Sequence, residues 1–387
     1  MMKRATRWLI AGMVLFVVAA GPATAESPAA TAQWLNSIGL SYRNKPWDVD
    51  AVLKAYSVDL TRARKFAVKD VQFLRAMPRL RRVDLGHPRF GDDELAAVAA
   101  LPQVTSLRLS RAAVTPDGLA VFERMPRLRT LSLASMQVSE AVMAHVAKLR
   151  SLQSLDLSRA TVDDAALAQL SRLPALRRLG LSSAKGITRA GLAAIGNIPN
   201  LQSLNLQFVP VNEELAELAA ATRLRSLTVM RTAVNDQGAA AIAQIKSLRS
   251  LYAWHTGISD AGLTALATLP QLETLYLSST GVTDAGMASI ARITTLKTLW
   301  LDRTALSDVG VRALSQMPNL RWLKADQTGI SDASINVFVS MRALRSLGLR
   351  KTQVTGAGLG RLKAARPDIR VYASKIRVPA GSADDSN

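Results

Sequence analysis

Along most of this chain the order of apolar and polar residues repeats every 24 residues. Each repeat opens with a short stretch in which every second residue is apolar, as in Leu275 and Leu277. This alternation predicts a β-strand with one face in the core. The second half of the repeat carries apolar residues at helical spacing, as in Met287 and Ile290, which predicts a short helix. A fixed period of this length predicts a solenoid.

The repeats extend over residues 51–373 with small changes of spacing. The step lengthens to 25 residues after Leu176 and shortens to 23 after Leu201. The first apolar positions of the regular units are Leu80, Val104, Leu128, Leu152, Leu176, Leu201, Leu224, Leu248, Leu272, Leu296, Leu320 and Leu344. Residues 26–50 do not follow the period, and we predict an N-terminal cap that shields the last core layer. The polar residues 374–387 predict a disordered tail.

The residue before each predicted helix has a type that is favoured at helix N-caps: Gly, or a Ser, Thr, Asp or Asn whose side chain accepts a hydrogen bond from a free N–H group. These residues are Gly91, Thr115, Ser139, Asp163, Thr188, Asn212, Asn235, Ser259, Thr283, Ser307, Ser331 and Thr355. An acidic residue usually follows, and we interpret it as a partner of the positive end of the helix dipole. A calcium site would need six or more clustered oxygen ligands, which the spacing does not supply. The glycines at repeat spacing, such as Gly286, predict close packing between repeats.

This pattern resembles the leucine-rich repeat family over roughly residues 50–373. The resemblance implies an α/β solenoid shaped like a horseshoe, with a parallel sheet on the concave face and short helices on the convex face. The helical half is most similar to bacterial-type repeats of the ribonuclease-inhibitor-like and cysteine-containing subclasses. The family's usual Asn or Cys after the strand is Thr in the later repeats, as in Thr280 and Thr304.

The N-terminal residues 1–25 have the three parts of a secretory signal peptide. A basic start that includes Lys3 and Arg4 precedes an apolar run from Trp8 to Ala20, and small residues follow at Ala23-Thr24-Ala25. The apolar run is too short to cross a bilayer, and no other stretch is long enough. We therefore expect an exported protein, periplasmic or secreted, with no transmembrane segment after cleavage. An uncleaved anchor is the alternative.

The composition adds an excess of positive charge and a lack of cysteine. There are 49 basic and 29 acidic residues, a formal net charge of +20, and no Cys. The charge favours acidic partners, and the lack of Cys excludes disulfides and thiolate metal sites. A basic residue begins many strands, either as a positive stripe along one rim or as solvated side chains that cover apolar edges. These residues are Arg81, Arg129, Arg177, Arg225, Arg249, Lys297, Arg321 and Arg345.

Catalytic chemistry finds little support in the sequence. The three histidines, His87, His145 and His255, are too far apart in the repeat pattern to form a metal site or a Ser–His pair. The glycines follow the repeat period and form no phosphate-binding loop. We therefore predict a protein that is not an enzyme and has no metal and no cofactor.

The strand positions between the leucines point away from the core, and their character changes along the chain. They are small or polar in the first repeats and aromatic or charged later. Exposed aromatic side chains beside charges are typical of binding surfaces, although aromatic residues also favour strands for their own sake. The predicted binding patch comprises Tyr252, Trp254, His255, Tyr276, Trp300 and Trp322, surrounded by Arg231, Asp302, Arg303, Lys324 and Asp326.

Three functions remain open from the sequence. The first is binding of a protein or peptide, acidic groups being selected by the cations of the patch. The second is binding of a carbohydrate or cell-wall glycan, with the aromatic rings as stacking platforms. The third is a scaffold that associates with its own copies. Nucleic acid fits the charge but not the expected export or the scattered aromatic residues.

Overall fold

The computed structural model describes residues 27–373. The predicted signal peptide (residues 1–25) and the predicted tail (residues 374–387) lie outside the described residues. Within residues 27–373 the chain forms two compact units. The first comprises residues 27–55 together with Arg62–Arg79, and the second comprises Tyr56–Thr61 and the chain from Leu80 onward.

The first unit is built from two α-helices and one 3-10 helix. They are α1 (Pro28–Ser37), α2 (Val49–Lys54) and the 3-10 helix Val68–Ala76. Helix α1 begins at Ser27, whose hydroxyl accepts the N–H of Ala30 at 3.1 Å. Trp34 stacks on Phe73 with ring centroids 5.1 Å apart. The role of residues 26–50 as a cap stays a prediction.

The second unit is organised by a 14-stranded parallel sheet in which neighbouring strands follow chain order. Its strands are β1 (Ser57–Asp59), β2 (Arg82–Asp84), β3 (Ser106–Arg108), β4 (Thr130–Ser132), β6 (Ser154–Asp156), β8 (Arg178–Gly180), β9 (Ser203–Asn205), β10 (Ser226–Thr228), β11 (Ser250–Tyr252), β12 (Thr274–Tyr276), β13 (Thr298–Trp300), β14 (Trp322–Lys324), β15 (Ser346–Leu349) and β16 (Arg370–Ala373). Two short strands, β5 (Gln137–Val138) and β7 (Thr161–Val162), form a separate pair.

A short helical segment connects most pairs of strands. The α-helices are α3 (Asp92–Ala99), α4 (Glu140–Val146), α5 (Asp164–Ala168), α6 (Arg189–Gly196), α7 (Asp236–Ile242), α8 (Asp260–Leu266), α9 (Met287–Ala291), α10 (Asp308–Leu314), α11 (Ile335–Ser340) and α12 (Gly356–Ala365). The 3-10 segments are Asp117–Arg124, Gln169–Arg172, Glu213–Ala220, Asp284–Gly286 and Asp332–Ser334. This is the expected α/β repeat solenoid.

The strand register expected from the leucines is confirmed. Leu251, Leu275 and Leu299 lie side by side in neighbouring strands and are fully buried. Residues on either side of each leucine point to the opposite face of the sheet, as the alternation of a strand requires. We call this the open face. The leucines thus leave the open face free to carry other side chains.

The predicted N-caps are confirmed at most positions, for example at Ser259 and Thr283, whose side chains accept N–H groups of the first turn. Gly91 precedes α3 but has no side chain to make this bond, and Pro116 rather than Thr115 immediately precedes the next 3-10 segment. At Asn212 the side chain makes no cap hydrogen bond. Its Oδ1 instead accepts the N–H of Asn235 in the next repeat, at 3.1 Å.

The acidic residue after the cap has a role that the sequence did not reveal. Asp260 accepts the backbone N–H of Thr283 at 2.8 Å with one oxygen and its hydroxyl at 2.6 Å with the other. The same paired bonds join Asp236 to Ser259. These aspartates therefore link their own repeat to the next, in addition to complementing a helix dipole. A Cβ atom on Gly286 would lie 2.3 Å from Asp260 Oδ1, so the glycine makes room for this link.

A tight turn follows each strand of the later repeats. One residue of the turn adopts the left-handed conformation, as His255 does with a φ of 54° and Arg303 with 55°. The next residue is the Thr of the repeat, and the hydroxyl of Thr304 donates to the carbonyl of Leu301 at 2.7 Å. This bond satisfies a buried carbonyl at the point where the family usually has Asn or Cys.

Candidate functional site

Three aromatic side chains form a continuous row across the open face of strands β11, β12 and β13. Tyr252, Tyr276 and Trp300 occupy the same register position in neighbouring strands. The rings of Tyr252 and Tyr276 meet edge to face, with centroids 4.8 Å apart. Those of Tyr276 and Trp300 stack at 3.9 Å with an interplanar angle of 7°. Side chains in register on parallel strands come close enough to contact, which explains the row.

The row continues through a charged residue to a position without a side chain. Lys324 follows Trp300 in register, and its Nζ lies 4.7 Å from the centre of the indole ring. The next strand has Gly348 at this position, and the last has Tyr372. Tyr276 and Lys324 therefore cover opposite faces of Trp300, whereas Gly348 leaves a gap in the row.

This gap is part of a groove of about 440 Å³. Trp322 and Tyr372 form its aromatic sides, and their exposed fractions are 46% and 41%. No aromatic ring contacts that of Trp322 among the described residues. Arg350 lies at the groove with its guanidinium 5.7 Å from the ring centre of Tyr372. The volume falls in the range that binds a small molecule or a few peptide side chains.

The charged side chains beside the groove differ in whether they have a partner within the chain. Lys324 Nζ is 2.9 Å from Asp302 and 3.9 Å from Asp326, and both carboxylates are buried. These carboxylates also accept backbone N–H groups, from Asp326 at 2.9 Å and from Arg350 at 2.8 Å. The charged groups of Asp302, Asp326 and Lys324 therefore already have partners within the chain. The guanidinium of Arg350 has no carboxylate partner among residues 27–373.

The remaining predicted site residues lie at the end of the strands, beside a smaller hollow of about 210 Å³. Trp254, His255 and Arg303 line it, and Arg303 Nε donates to Gln327 Oε1 at 3.2 Å. The indole Nε1 of Trp254 is buried and has no hydrogen-bond acceptor among the described residues. Arg231 lies apart from the groove, with its guanidinium 5.6 Å from the ring centre of Phe208.

Comparison with known proteins agrees with the repeat architecture. The family described as "Leucine-rich repeat region" matches residues 124–357. The chain belongs to the leucine-rich repeat family. The subclass within the family stays a prediction, and no curated protein matches this sequence.

Solved structures of bacterial leucine-rich repeat proteins have a similar fold. An internalin from Listeria monocytogenes superposes with a TM-score of 0.58 at 19% identity, over 93% of this chain and 99% of that one. A leucine-rich repeat protein of Leptospira interrogans gives a TM-score of 0.50 at 14% identity, over 82% of this chain and 96% of that one. At these identities the likeness concerns the fold alone.

This leucine-rich repeat protein contains groove residues that the sequence pattern did not single out as site residues. Tyr372 belongs to the degenerate last unit, where Val371-Tyr372-Ala373 aligns with Leu347-Gly348-Leu349. Alignment of that unit with the preceding strand would have placed Tyr372 on the open face. Gly348 gives no chemical signal in a sequence. A Cβ atom there would lie 2.9 Å from Lys324 Cγ and 3.0 Å from Asp326 Oδ1, so the glycine allows these side chains to lie against its strand.

Within residues 27–373 no three His, Asp or Glu side chains are grouped so that they would hold a metal ion. No helix in this part is long and apolar enough to cross a membrane.

The pKa of Tyr276 is raised because burial and the neighbouring Tyr252 disfavour the phenolate, so its hydroxyl stays neutral at ordinary pH. Leucine-rich repeat proteins are typically binding scaffolds rather than enzymes.

Proposed function

We propose that this leucine-rich repeat protein is a non-enzymatic binding protein that holds an extended segment of another protein in the groove of its open face. The observation that carries this proposal is the pair of half-exposed aromatic residues, Trp322 and Tyr372, on either side of the gap at Gly348. Aromatic side chains in a depression are typical anchors of protein interfaces. The groove has room for one or two apolar side chains of a partner.

The charge at the groove favours an acidic residue next to the apolar anchor. Arg350 is exposed and has no carboxylate partner among the described residues, whereas the charge of Lys324 is balanced by two buried carboxylates. An Arg guanidinium binds a carboxylate through two parallel hydrogen bonds. The preferred segment therefore combines an apolar side chain with a nearby Asp or Glu.

Selection of peptides from a random display library tests the proposal whatever the natural partner is. We expect enriched peptides to share an aromatic or large aliphatic residue followed or preceded by an acidic one. Trp322→Ala should weaken their binding by about tenfold or more, as for a typical hot-spot residue. Phe208→Ala is a matched control, because Phe208 is 46% exposed, as Trp322 is, but lies outside the groove. Equal losses in the two variants would refute the assignment of the groove.

The carbohydrate alternative requires a ring face that is free to stack on a sugar. Trp300 has both faces covered, and Tyr276 shares one of its faces with Trp300. A glycan array provides the comparison, and strong binding to a neutral glycan that is lost in Trp322→Ala would favour this alternative. Self-association is the third possibility, and sedimentation equilibrium would detect it as a mass above that of the single chain.

Export is also a proposal, and it rests on the pattern of residues 1–25 alone. Cleavage after Ala25 would give a mature chain that begins at Glu26. Mass spectrometry of the intact protein from a cell that expresses the whole chain would measure this directly. A mass that includes residues 1–25 would contradict cleavage at that site.

A further inference from the structure

A second surface, separate from the groove, carries a row of arginines. It lies at the edge of the sheet where strands β4 to β10 begin. We call it the arginine edge, and it consists of Arg127, Arg129, Arg177, Arg178, Arg223 and Arg225. All six side chains are exposed, and no Lys, Asp or Glu occurs in the residues that start these strands (127–130, 151–154, 175–178, 200–203 and 223–226).

The arginine edge is almost free of internal partners. Among its six side chains only that of Arg223 makes a hydrogen bond within the described chain, to Asn200 Oδ1. None of the six forms an ion pair with a described carboxylate. Like charges concentrated in this way repel one another, so the fold alone gives no reason for the arrangement.

Later repeats show what a neutralised version of the same edge is like. Glu273 lies between Arg249 at 3.4 Å and Lys297 at 2.8 Å. Arg345 lies 3.4 Å from Asp368. The pKa of Glu273 is lowered by the hydrogen bond from Lys297. Within the basic column predicted from the sequence, Arg249, Lys297 and Arg345 are thus paired with described carboxylates, whereas Arg129, Arg177 and Arg225 are not.

The spacing of the arginine edge suits a linear ligand. Arg129, Arg177 and Arg225 begin alternate strands, with Gln153 and Gln202 between them. With strands about 4.8 Å apart, these arginines recur at about 10 Å over a length of about 19 Å. A separation of about 10 Å is about one Debye length at 0.1 M salt, so the repulsion is weakened but not removed, and an anionic ligand would relieve it.

The uncharged residues of the edge indicate the chemistry of the ligand. No aromatic residue begins these strands, so the edge lacks the stacking platforms that bind single-stranded nucleic acid. Its apolar residues are buried leucines and the small, half-exposed Ala175, so it also lacks the apolar centre of a protein interface. Exposed or half-exposed amides and hydroxyls, such as those of Gln153, Asn200 and Gln202, alternate with guanidinium groups. These groups match a chain of sugar hydroxyls interrupted by sulfate or phosphate groups.

We propose that the arginine edge is a binding site for a linear anionic polysaccharide, recognised through its sulfate or phosphate groups. This site is independent of the groove proposed above for a peptide. The forked guanidinium binds such groups through two hydrogen bonds at once, which explains why every cation of this edge is Arg. Because binding releases counterions, the affinity falls steeply with salt concentration.

The experiment measures binding of heparin to the full chain by calorimetry at several salt concentrations. The test variant is Arg129→Gln with Arg177→Gln and Arg225→Gln. Its matched control removes the same charge from the paired residues of the basic column, by Arg249→Gln with Lys297→Gln and Arg345→Gln. We expect the test variant to bind heparin at least about tenfold more weakly and with a shallower salt dependence. The control variant should retain most of the affinity, and circular dichroism should show both variants folded.

Two outcomes would overturn the proposal. Equal losses in the two triple variants would show that heparin responds to overall charge rather than to this edge. A single-stranded oligonucleotide that binds as tightly as heparin, with the same loss in the test variant, would make the ligand class a nucleic acid. Desulfated heparin provides the third arm, and its binding should fall as far as that of the test variant. The groove variant Trp322→Ala should leave heparin binding unchanged, so the two proposed sites fail independently.

Discussion

Two glycines in helix α12 should respond in opposite ways to the same substitution. A Cβ atom on Gly358 would lie 2.1 Å from Oδ1 and 2.5 Å from Cγ of Asp332, in the preceding repeat. A Cβ atom on Gly360 would have no atom within 4 Å. Replacing an exposed helical glycine with alanine stabilises a helix by about 1 kcal/mol. We expect this gain at Gly360 and a net loss at Gly358.

The size of the loss at Gly358 follows from the bonds of Asp332. Its carboxylate accepts the N–H of Thr355 at 2.8 Å and the Thr355 hydroxyl at 2.7 Å. Hydrogen bonds to a charged group contribute about 1.5–3 kcal/mol each, and exposure of this pair reduces the value to about 1 kcal/mol. The clash would break both bonds and add some strain, for a cost of about 2–3 kcal/mol. After the helix gain, Gly358→Ala should destabilise by about 1–2 kcal/mol.

Urea unfolding monitored by circular dichroism measures the global effect, and hydrogen exchange in Gly356–Ala365 measures the local one. A change of about 1–2 kcal/mol should accelerate exchange there by about 5–30-fold. In an Asp332→Ala background the clash is absent, so Gly358→Ala should then be neutral or stabilising. If Gly358→Ala stabilises the unmodified protein as Gly360→Ala does, the link between repeats does not depend on this glycine.

Three further predictions concern hydrogen bonds within and between repeats. Burial alone would raise the pKa of Asp308, but hydrogen bonds from Ser331 and Ser334 outweigh it and lower the pKa below its usual 3.8. The stability that this group contributes is therefore present above about pH 4 and is lost as the pH falls through the pKa of Asp308 in the folded protein. Melting curves recorded at several pH values should show a smaller loss of stability at low pH in Asp308→Asn. Thr304→Val removes the hydroxyl that donates to the carbonyl of Leu301, but should cost at most about 1 kcal/mol in urea titrations, because the backbone N–H of Val209 donates to the equivalent carbonyl of Leu206 at 3.0 Å; Thr304→Ser should cost less still. Arg366→Lys removes a fork that donates to three backbone carbonyls, those of Val339 and Met341 in the preceding repeat and that of Leu344, and hydrogen exchange near them should accelerate.

The repeat pattern is sufficient to predict the fold because every repeat places apolar residues at the same positions. Leu251, Leu275 and Leu299 each point inward for the same steric reason, and a shift of register by one residue would expose all of them. The cap positions were predictable for a related reason, since a helix start needs an acceptor for its free N–H groups. Asn212 shows the limit, because an amide oxygen also serves as a link to the next repeat.

Electrostatic pairing was not predictable from spacing. Asp302, Lys324 and Asp326 recur at open-face positions and resemble exposed charges in the sequence. In the structure the two carboxylates are buried. Their partners are backbone N–H groups and the ammonium group of the lysine. Which charges remain available depends on side-chain contacts between neighbouring strands, and a repeat pattern does not contain that information. Arg350 emerged as the available cation for this reason.

The aromatic residues of the open face do not all need a functional explanation. Tyr276 and Trp300 are half-buried against each other, and their stacking contributes about 0.5–1.5 kcal/mol to the fold. Trp322 is different, because it begins a strand at a position where neighbouring strands have Thr298 and Ser346, and it stays 46% exposed without a ring partner among the described residues. Packing within the chain accounts for the stacked pair but gives Trp322 only part of its possible contact area. Trp322 is therefore the residue at which stability and binding should separate most clearly. Trp322→Ala should leave the urea midpoint nearly unchanged and should weaken the peptide binding proposed for the groove by about tenfold or more.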